Sequence, residues 1–220
     1  MGKLDLRHQA LFTKYYAENT WQGEESRSGP SSGKARTENL RRALARILTD
    51  LNVSVFLDAP CGDFFWMSHI IDDIEATYIG ADIVEPAIDQ NAKNFGRADV
   101  SFVHLDIVNQ PLPSADMVFS RDFLFHLSYS DIARFLSRLF ESDARYVMTT
   151  THDPQRVTKN SDIETGGWRW MDLLRAPFHF PFSPLFEVVD GGGDRKMCVW
   201  EIDEVQASTR SFISQYTPKL

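Results

Sequence analysis

The sequence predicts an α/β fold: a mostly parallel, seven-stranded sheet with helices on both faces, finished by a C-terminal antiparallel hairpin. Three observations predict it. Apolar runs at 53–59, 77–83, 100–107, 115–121 and 144–152 alternate with helical or crossing segments, the pattern of a parallel sheet covered on both faces. "LFEVVD" and "KMCVWEID" flank the glycines at 191–193 and read as two strands joined by a turn. The first four runs each end in, or just before, an acidic residue: Asp58, Asp82, Asp106 and Asp122.

The elements follow in order. Residues 4–18 form a helix whose apolar face is blurred by "FTKYY". "NTWQGEESRSGPSSGK" is dense in Ser, Gly and Pro and reads as a loop, yet it holds Trp21, an odd residue for a solvated linker. Leu40, Ala43, Leu44, Ile47, Leu48 and Leu51 recur at helical spacing, with Arg41, Arg42 and Arg46 on the opposite, solvated face. "FFWMSHII" begins a helix after the first strand. "EPAIDQNAKNF" is a further helix, with Pro86 suited to its first turn. "SDIARFLSRLFES" is amphipathic, with Ser130 or Asp131 as its cap. Residues 152–185, rich in Pro and Gly, make an irregular insertion above the strand ends, with a short helix near "WRWMDLL". The chain thus divides into an N-terminal helix and lid segment (1–35), a main domain (36–205) and a loose tail (206–220).

At 220 residues the chain suits one large domain, and 43% hydrophobic with 25% charged residues is a globular composition. A net charge of −8 opposes sequence-independent nucleic-acid binding, which depends on neutralising phosphates, so no nucleic-acid partner is expected. No apolar run reaches membrane-spanning length, and "MGKLDLRHQALF" lacks the apolar core and cleavage site of a secretion signal. Leu6 stands where a myristoylation signal needs Ser or Thr. Two cysteines, Cys61 and Cys198, make neither a disulfide framework nor a metal cluster, so no metal is expected and a cytoplasmic location follows by default. The oligomeric state stays open, a homodimer included.

Ligands of open α/β sheets bind beyond the carboxyl ends of the strands. This gathers residues 58–63, 82–83, 106–107 and 120–122. One strand-end Asp usually caps the next helix; four together suit a ligand rich in hydroxyls and amines. Asp82 follows Asp58 by 24 residues, near the separation at which a carboxylate meets a nucleotide ribose. Asp106 is placed to accept from an adenine amino group, and Ile83 and Ile107 to sandwich the purine. A dinucleotide fits poorly, because Pro60-Cys61-Gly62-Asp63-Phe64-Phe65 has one glycine where the pyrophosphate fingerprint needs three. Asp58 and Asp63 would instead attract an ammonium or a sulfonium.

"FLDAPCGDF", "YIGADI", "VHLDI" and "ADMVFSRDFLFHL" resemble the ordered motifs of class I S-adenosylmethionine-dependent methyltransferases, which have a Rossmann-like fold. More narrowly they resemble bacterial members with a Pro-Cys-Gly-Asp-Phe loop, associated with glycan or small-molecule modification. "WQGEESRSGPSS" and "TGGWRWMDLLRAPFHFP" look like the same subgroup, so the resemblance spans about residues 15 to 202. The chain departs from the family pattern D-x-G-x-G-x-G at Pro60 and Phe64. The resemblance implies S-adenosylmethionine as cofactor. Asp58, Ala59, Pro60, Cys61, Gly62 and Asp63 would line its methionyl and ribose groups. Asp82 and Ile83 would hold the ribose and the purine face, and Asp106 and Ile107 the adenine. Ser120 and Arg121 would form the floor under the sulfonium. Trp21, Ser28 and Gly29 would close over the cofactor carboxylate.

Methyl transfer needs little covalent help beyond positioning and exclusion of water. A hydroxyl acceptor also loses a proton, for which His126, partnered by Asp122 one helical turn earlier, is suited. His152 and Asp153 are second choices. His152, Arg169 and His179 are expected on the acceptor side, in the 152–185 insertion and at its start, with Arg169 and Arg175 suited to an anionic acceptor. His104 and His69 read as structural. Cys61 is a poor nucleophile, since flanking carboxylates oppose thiolate formation. The expectation is O-methylation of a small molecule or glycan. A catalytically silent cofactor-binding protein is the alternative. A nucleic-acid methyltransferase and an NAD-dependent oxidoreductase rank behind both.

Overall fold

A computed structural model of the chain describes residues 2–217. Seven strands form one sheet: β1 (Val55–Asp58), β2 (Thr77–Asp82), β3 (Val100–His104), β4 (Met117–Ser120), β5 (Tyr146–His152), β6 (Phe186–Asp190) and β7 (Arg195–Glu201). Five helices accompany them: α1 (Leu6–Glu18), α2 (Glu38–Asp50), α3 (Glu85–Phe95), α4 (Tyr129–Phe140) and α5 (Ile202–Tyr216). The strand order is β3-β2-β1-β4-β5-β7-β6. The first five strands pair in parallel, and β7 is antiparallel to both β5 and β6. The expected α/β sheet with its C-terminal antiparallel hairpin is therefore present.

Alternation along the strands builds two cores. Phe56, Phe119, Met148, Met197 and Val199 face one way and meet Leu40, Leu44, Ile47 and Leu48 of α2. Leu57, Val118, Val147 and Trp200 face the other way and meet Ile132, Phe135, Leu136 and Leu139 of α4 with Val205 and Phe212 of α5. The period-2 strands and period-3.6 helices thus match on each face. Chain order reverses between β1 and β4, which opens a crevice at their carboxyl ends.

Four local expectations are corrected. "FFWMSHII" is not an α-helix but two short 3-10 turns, Met67–His69 and Ile71–Asp73. Phe64 sits at φ 58°, a left-handed backbone that cannot start a helix, and its ring is buried against Tyr78, Phe95 and Phe102. The cap of α4 is Ser128, not Ser130 or Asp131: its Oγ accepts from Asp131 N at 3.2 Å and donates to the Asp131 carboxylate at 3.0 Å. "WRWMDLL" forms no helix. Its backbone runs beside β5 instead, with Met171 O accepting from His152 N and Leu173 N donating to Thr151 Oγ1. The supposed tail is mostly helical. Ile202, Val205, Thr209 and Phe212 recur at helical spacing and are buried, with Tyr129 against Phe212 and Tyr216. Residues 218–220 lie outside the described residues. Among the described residues, no helix is long and apolar enough to cross a membrane.

Candidate active site

A cavity of about 400 Å³ opens at the β1/β4 reversal. Its wall brings together Asp58, Pro60, Cys61, Gly62, Asp63, Asp82, Ile83, Asp106, Ile107, Arg121, Asp122 and His126 with Trp21, Ser28 and Gly29 of the N-terminal segment. These are residues from five separate stretches of the chain, gathered by the sheet order.

The half of the cavity beneath β1, β2 and β3 is built on carboxylates and an apolar slot. Asp82 accepts from Gly62 N and Val84 N, each at 2.9 Å and each on a different oxygen. One lone pair per oxygen is left, the acceptor pair that the two hydroxyls of a vicinal diol require. Burial pushes the Asp82 pKa up, and the two amide bonds pull partly against it. Asp58 is buried and accepts from Tyr78 Oη at 2.7 Å; burial pushes its pKa up to about 7. Ile83, Val84, Leu105, Ile107 and Val108 form the slot alongside. Gly62 has φ +55°, and a Cβ there would meet Ser28 Oγ at 2.1 Å, so the loop and the N-terminal segment approach as only glycine permits. Burial drives the Cys61 thiol well above its ordinary pKa, with Asp82 and Asp58 adding to the shift, which leaves no thiolate for nucleophilic work.

Two acidic residues take other roles than expected. Asp106 faces the cavity, but its carboxylate already accepts from Val108 N, Asn109 N, Asn109 Nδ2 and Asp5 N at 2.8–3.3 Å. Four bonds fill a carboxylate's sites, so no acceptor remains for an adenine amino group. Asp63 is a strap rather than a free anion: it accepts from Ser26 Oγ, from Arg27 N at 2.7 Å and from Ser28 Oγ, while its own N–H donates to Ser28 Oγ. That strap ties the segment around Ser28 and Gly29 over the loop after β1. His8, Phe12 and Tyr16 of α1 complete the roof.

Beneath β4 the cavity rests on a buried ionic quartet. Asp122 accepts from Arg195 Nη2 at 2.9 Å and from Ser31 Oγ at 2.8 Å, and lies 3.3 Å from Arg121 Nη1. Arg121 Nε donates to Asp190 at 2.9 Å and Nη2 to Ser31 O at 2.9 Å. Burial alone would raise the Asp122 pKa, but Arg121 and Arg195 outweigh it and hold the carboxyl below its usual range. Asp122 at φ 53° and the 3-10 turn Leu124–His126 replace the expected helix. The expected Asp122–His126 hydrogen bond is therefore not formed. His126 Nδ1 pairs instead with Gly167 O at 2.7 Å. A carbonyl accepts only, so Nδ1 carries the proton and Nε2 keeps its lone pair. Burial lowers the pKa of this ring, which makes the neutral form dominant near neutrality.

Five residues fall away from the cavity wall. Ala59 is fully buried, its N–H donating to Phe119 O at 2.8 Å. Ser120 is fully buried too, and Phe119 and Arg121 line the floor in its place. His152 is buried, its Nδ1 accepting from Met171 N at 3.1 Å. Arg169 is buried under Tyr129 and donates to Leu127 O at 2.7 Å, which removes it as an anion receptor. His179 is exposed between Phe178 and Phe180, which pack into the α4/α5 core away from the cavity. Arg175 is likewise occupied, with Asp172 and with the carbonyl of Val157.

Sequence reasoning missed Ser31, Arg195, Asp190, Phe125 and Trp168. Asp190 and Arg195 flank the glycine turn as an oppositely charged pair at the facing ends of two strands, which was the available signal. Ser31 carried none, since its partner Asp122 is 91 residues away.

Residues 56–142 match the methyltransferase-domain family. No curated protein matches the chain by sequence. Three of the solved structures that share the fold illustrate it. The Burkholderia thailandensis 1,6-didemethyltoxoflavin-N1-methyltransferase is 15% identical with a TM-score of 0.57, covering 89% of this chain and 88% of that one. The magnesium protoporphyrin IX methyltransferase of Synechocystis PCC 6803 is 12% identical with a TM-score of 0.58, covering 88% and 99%. The methyltransferase domain of bacterial CtHen1 is 16% identical with a TM-score of 0.56, covering 75% and 98%. The matched segment lies within the fold that these methyltransferase structures share.

Proposed function

We propose that the protein is an O-methyltransferase acting on a hydroxyl group of a small molecule or saccharide, and that it belongs with the bacterial proteins carrying a Pro-Cys-Gly-Asp-Phe loop. One observation supports the reading above others: the cavity joins a diol-binding carboxylate, Asp82, to a neutral imidazole, His126, whose Nε2 is unengaged within the protein. The donor set fits the cofactor. Asp82 would hold the ribose, the slot from Ile83 to Val108 the purine, and Asp58 an ammonium. Bound there, S-adenosylmethionine supplies a methyl group on a positively charged sulfur.

The chain's own residues do the rest. The Gly167 carbonyl fixes the tautomer of His126, so Nε2 is the atom that takes the acceptor's hydroxyl proton and later releases it to water. Arg121 and Arg195 keep Asp122 ionised as a positioning group for Ser31 and the floor, not as a proton carrier. Trp21, Phe12 and Tyr16 roof the cavity and exclude water from the reacting groups.

Calorimetry tests the cofactor reading. Heat is expected with S-adenosylmethionine and none with NAD; the reverse pattern, or silence with both, overturns it. With an acceptor in hand, His126→Gln is expected to keep cofactor affinity and to slow release of S-adenosylhomocysteine by about 100-fold or more. Unchanged turnover removes His126 as base. Cofactor binding without turnover on any hydroxylated acceptor favours the silent binding protein.

A further inference from the structure

The proposed function leaves the acceptor open between a saccharide and another small molecule. The wall around His126 bears on that choice. Trp21 lies 5.8 Å from the His126 ring between centroids, and Phe125 4.5 Å from it. Trp168 stands 6.3 Å from Phe125 and is held edge-on by Trp170 at 4.9 Å and His152 at 6.1 Å. All three of Trp21, Phe125 and Trp168 line the cavity, yet Trp168 is 52% exposed. An indole rigidly mounted by other rings and left open at a cavity rim presents a large apolar face with no protein partner.

The polar groups at this end point the same way. The guanidinium groups on the wall, Arg121 and Arg195, are matched by Asp122 and Asp190, so the quartet carries no net charge. Ser31 Oγ donates to Asp122. Arg169, next to Trp168 in sequence, is turned to backbone carbonyls. A saccharide subsite needs several unengaged donors and acceptors for ring hydroxyls, and an anion subsite needs an unmatched cation. Among the described residues of this wall, the polar atoms without a protein partner include His126 Nε2 and the indole N–H groups of Trp21 and Trp168, a sparse set beside the ring hydroxyls of a saccharide.

We propose that Trp21, Phe125 and Trp168 form an acceptor subsite beside His126 for a neutral, planar aromatic or heteroaromatic molecule bearing a hydroxyl group. The inference rests on the methyltransferase reading above and narrows it. The ring lies against the indoles and its hydroxyl meets Nε2. Among the described residues of this wall, no unmatched guanidinium waits for a carboxylate or phosphate.

The test uses the full-length protein saturated with S-adenosylhomocysteine, titrated by calorimetry with 2-naphthol, 2-naphthoate and methyl β-D-glucopyranoside. The neutral naphthol is expected to bind, the naphthoate more weakly, and the glucoside not at all. Trp168→Ala is expected to weaken naphthol by about five- to tenfold and Trp168→Phe to recover most of it, since one aromatic contact carries about that much. Unchanged affinity for S-adenosylhomocysteine in both variants shows that the fold and the cofactor half are intact. Binding of the glucoside but not naphthol assigns the subsite to saccharides and overturns the inference. Naphthol binding equally to Trp168→Ala overturns it as well, because the indole is then not the platform. Failure of S-adenosylhomocysteine itself to bind strikes the underlying methyltransferase reading instead.

Discussion

The two ends of the cavity solve one electrostatic problem in opposite ways. Beneath β1 and β2, Asp58 and Asp82 are buried with hydrogen bonds from Tyr78 Oη and backbone amides, and both carboxyl groups are pushed upward in pKa. Beneath β4, Asp122 is less deeply set and is paired with Arg121 and Arg195, and its carboxyl is held down. The difference teaches where the protein is complete and where it waits for a ligand. A buried anion matched by buried cations is a structural element. One left with spare lone pairs and no cation is a receptor.

Breaking the quartet is the largest expected effect. Asp190→Ala leaves Arg121 and Arg195 with Asp122 and the more exposed Asp194 in a buried site, and loss of one partner in such a setting costs about 3–5 kcal/mol. Urea denaturation is expected to show that loss. A change under about 1 kcal/mol would mean that water reaches the arginines and that this end is not the closed structural element described.

Removing the receptor is the next. Asp82→Ala deletes charge-assisted bonds worth about 1.5–3 kcal/mol in total, so affinity for S-adenosylmethionine is expected to fall by about ten- to a hundredfold in calorimetry. Asp106→Asn sharpens the contrast between two strand-end carboxylates. Its acceptor sites serve the chain itself, so stability drops while cofactor affinity changes by less than about threefold. If Asp106→Asn cripples binding as much as Asp82→Ala, the assignment of Asp106 to the turn is wrong.

The same contrast explains what was legible in the sequence. Strand ends are set by local pattern, so apolar runs closed by Asp58 and Asp82 announced both the sheet and the carboxylate side of the cavity. Asp106 looked identical in sequence, because the partner that completes its carboxylate, Asp5 N, is 101 residues away. The acceptor end depends on such distant pairings throughout: Ser31 with Asp122, Arg121 with Asp190, His126 with Gly167. Helical spacing placed His126 beside Asp122, but the left-handed backbone at Asp122 broke the helix on which that geometry relied. The C-terminal helix was legible at positions 202, 205, 209 and 212, yet the polar residues between them hid the apolar stripe. Phe64 shows the limit of motif matching. It stands where the D-x-G-x-G-x-G pattern has its last glycine, adopts a positive φ and uses its ring to fill the core.

A pH dependence separates the two ends by sign. In the folded chain Asp58 titrates at about 7, above the unfolded carboxylate value of about 3.9, so folding takes up a proton between these values. Its contribution to stability is full below about pH 4 and is lost as the pH rises through about 7. Asp82 is shifted in the same direction and adds to the same trend. Asp122 is shifted the other way: its contribution is present above the unfolded carboxylate pKa and is lost as the pH falls. Without ligand, stability is therefore expected to decline from about pH 5 to about pH 8, and Asp58→Asn to flatten that decline. Ligand reverses the preference, because a bound ammonium favours the ionised carboxylate. Affinity for S-adenosylhomocysteine is expected to rise from about pH 6 to about pH 8, by at most about tenfold per pH unit, and to lose most of that slope in Asp58→Asn. A wild-type affinity independent of pH would show that Asp58 faces no cation, and would make it a structural carboxylate like Asp122 rather than half of a receptor.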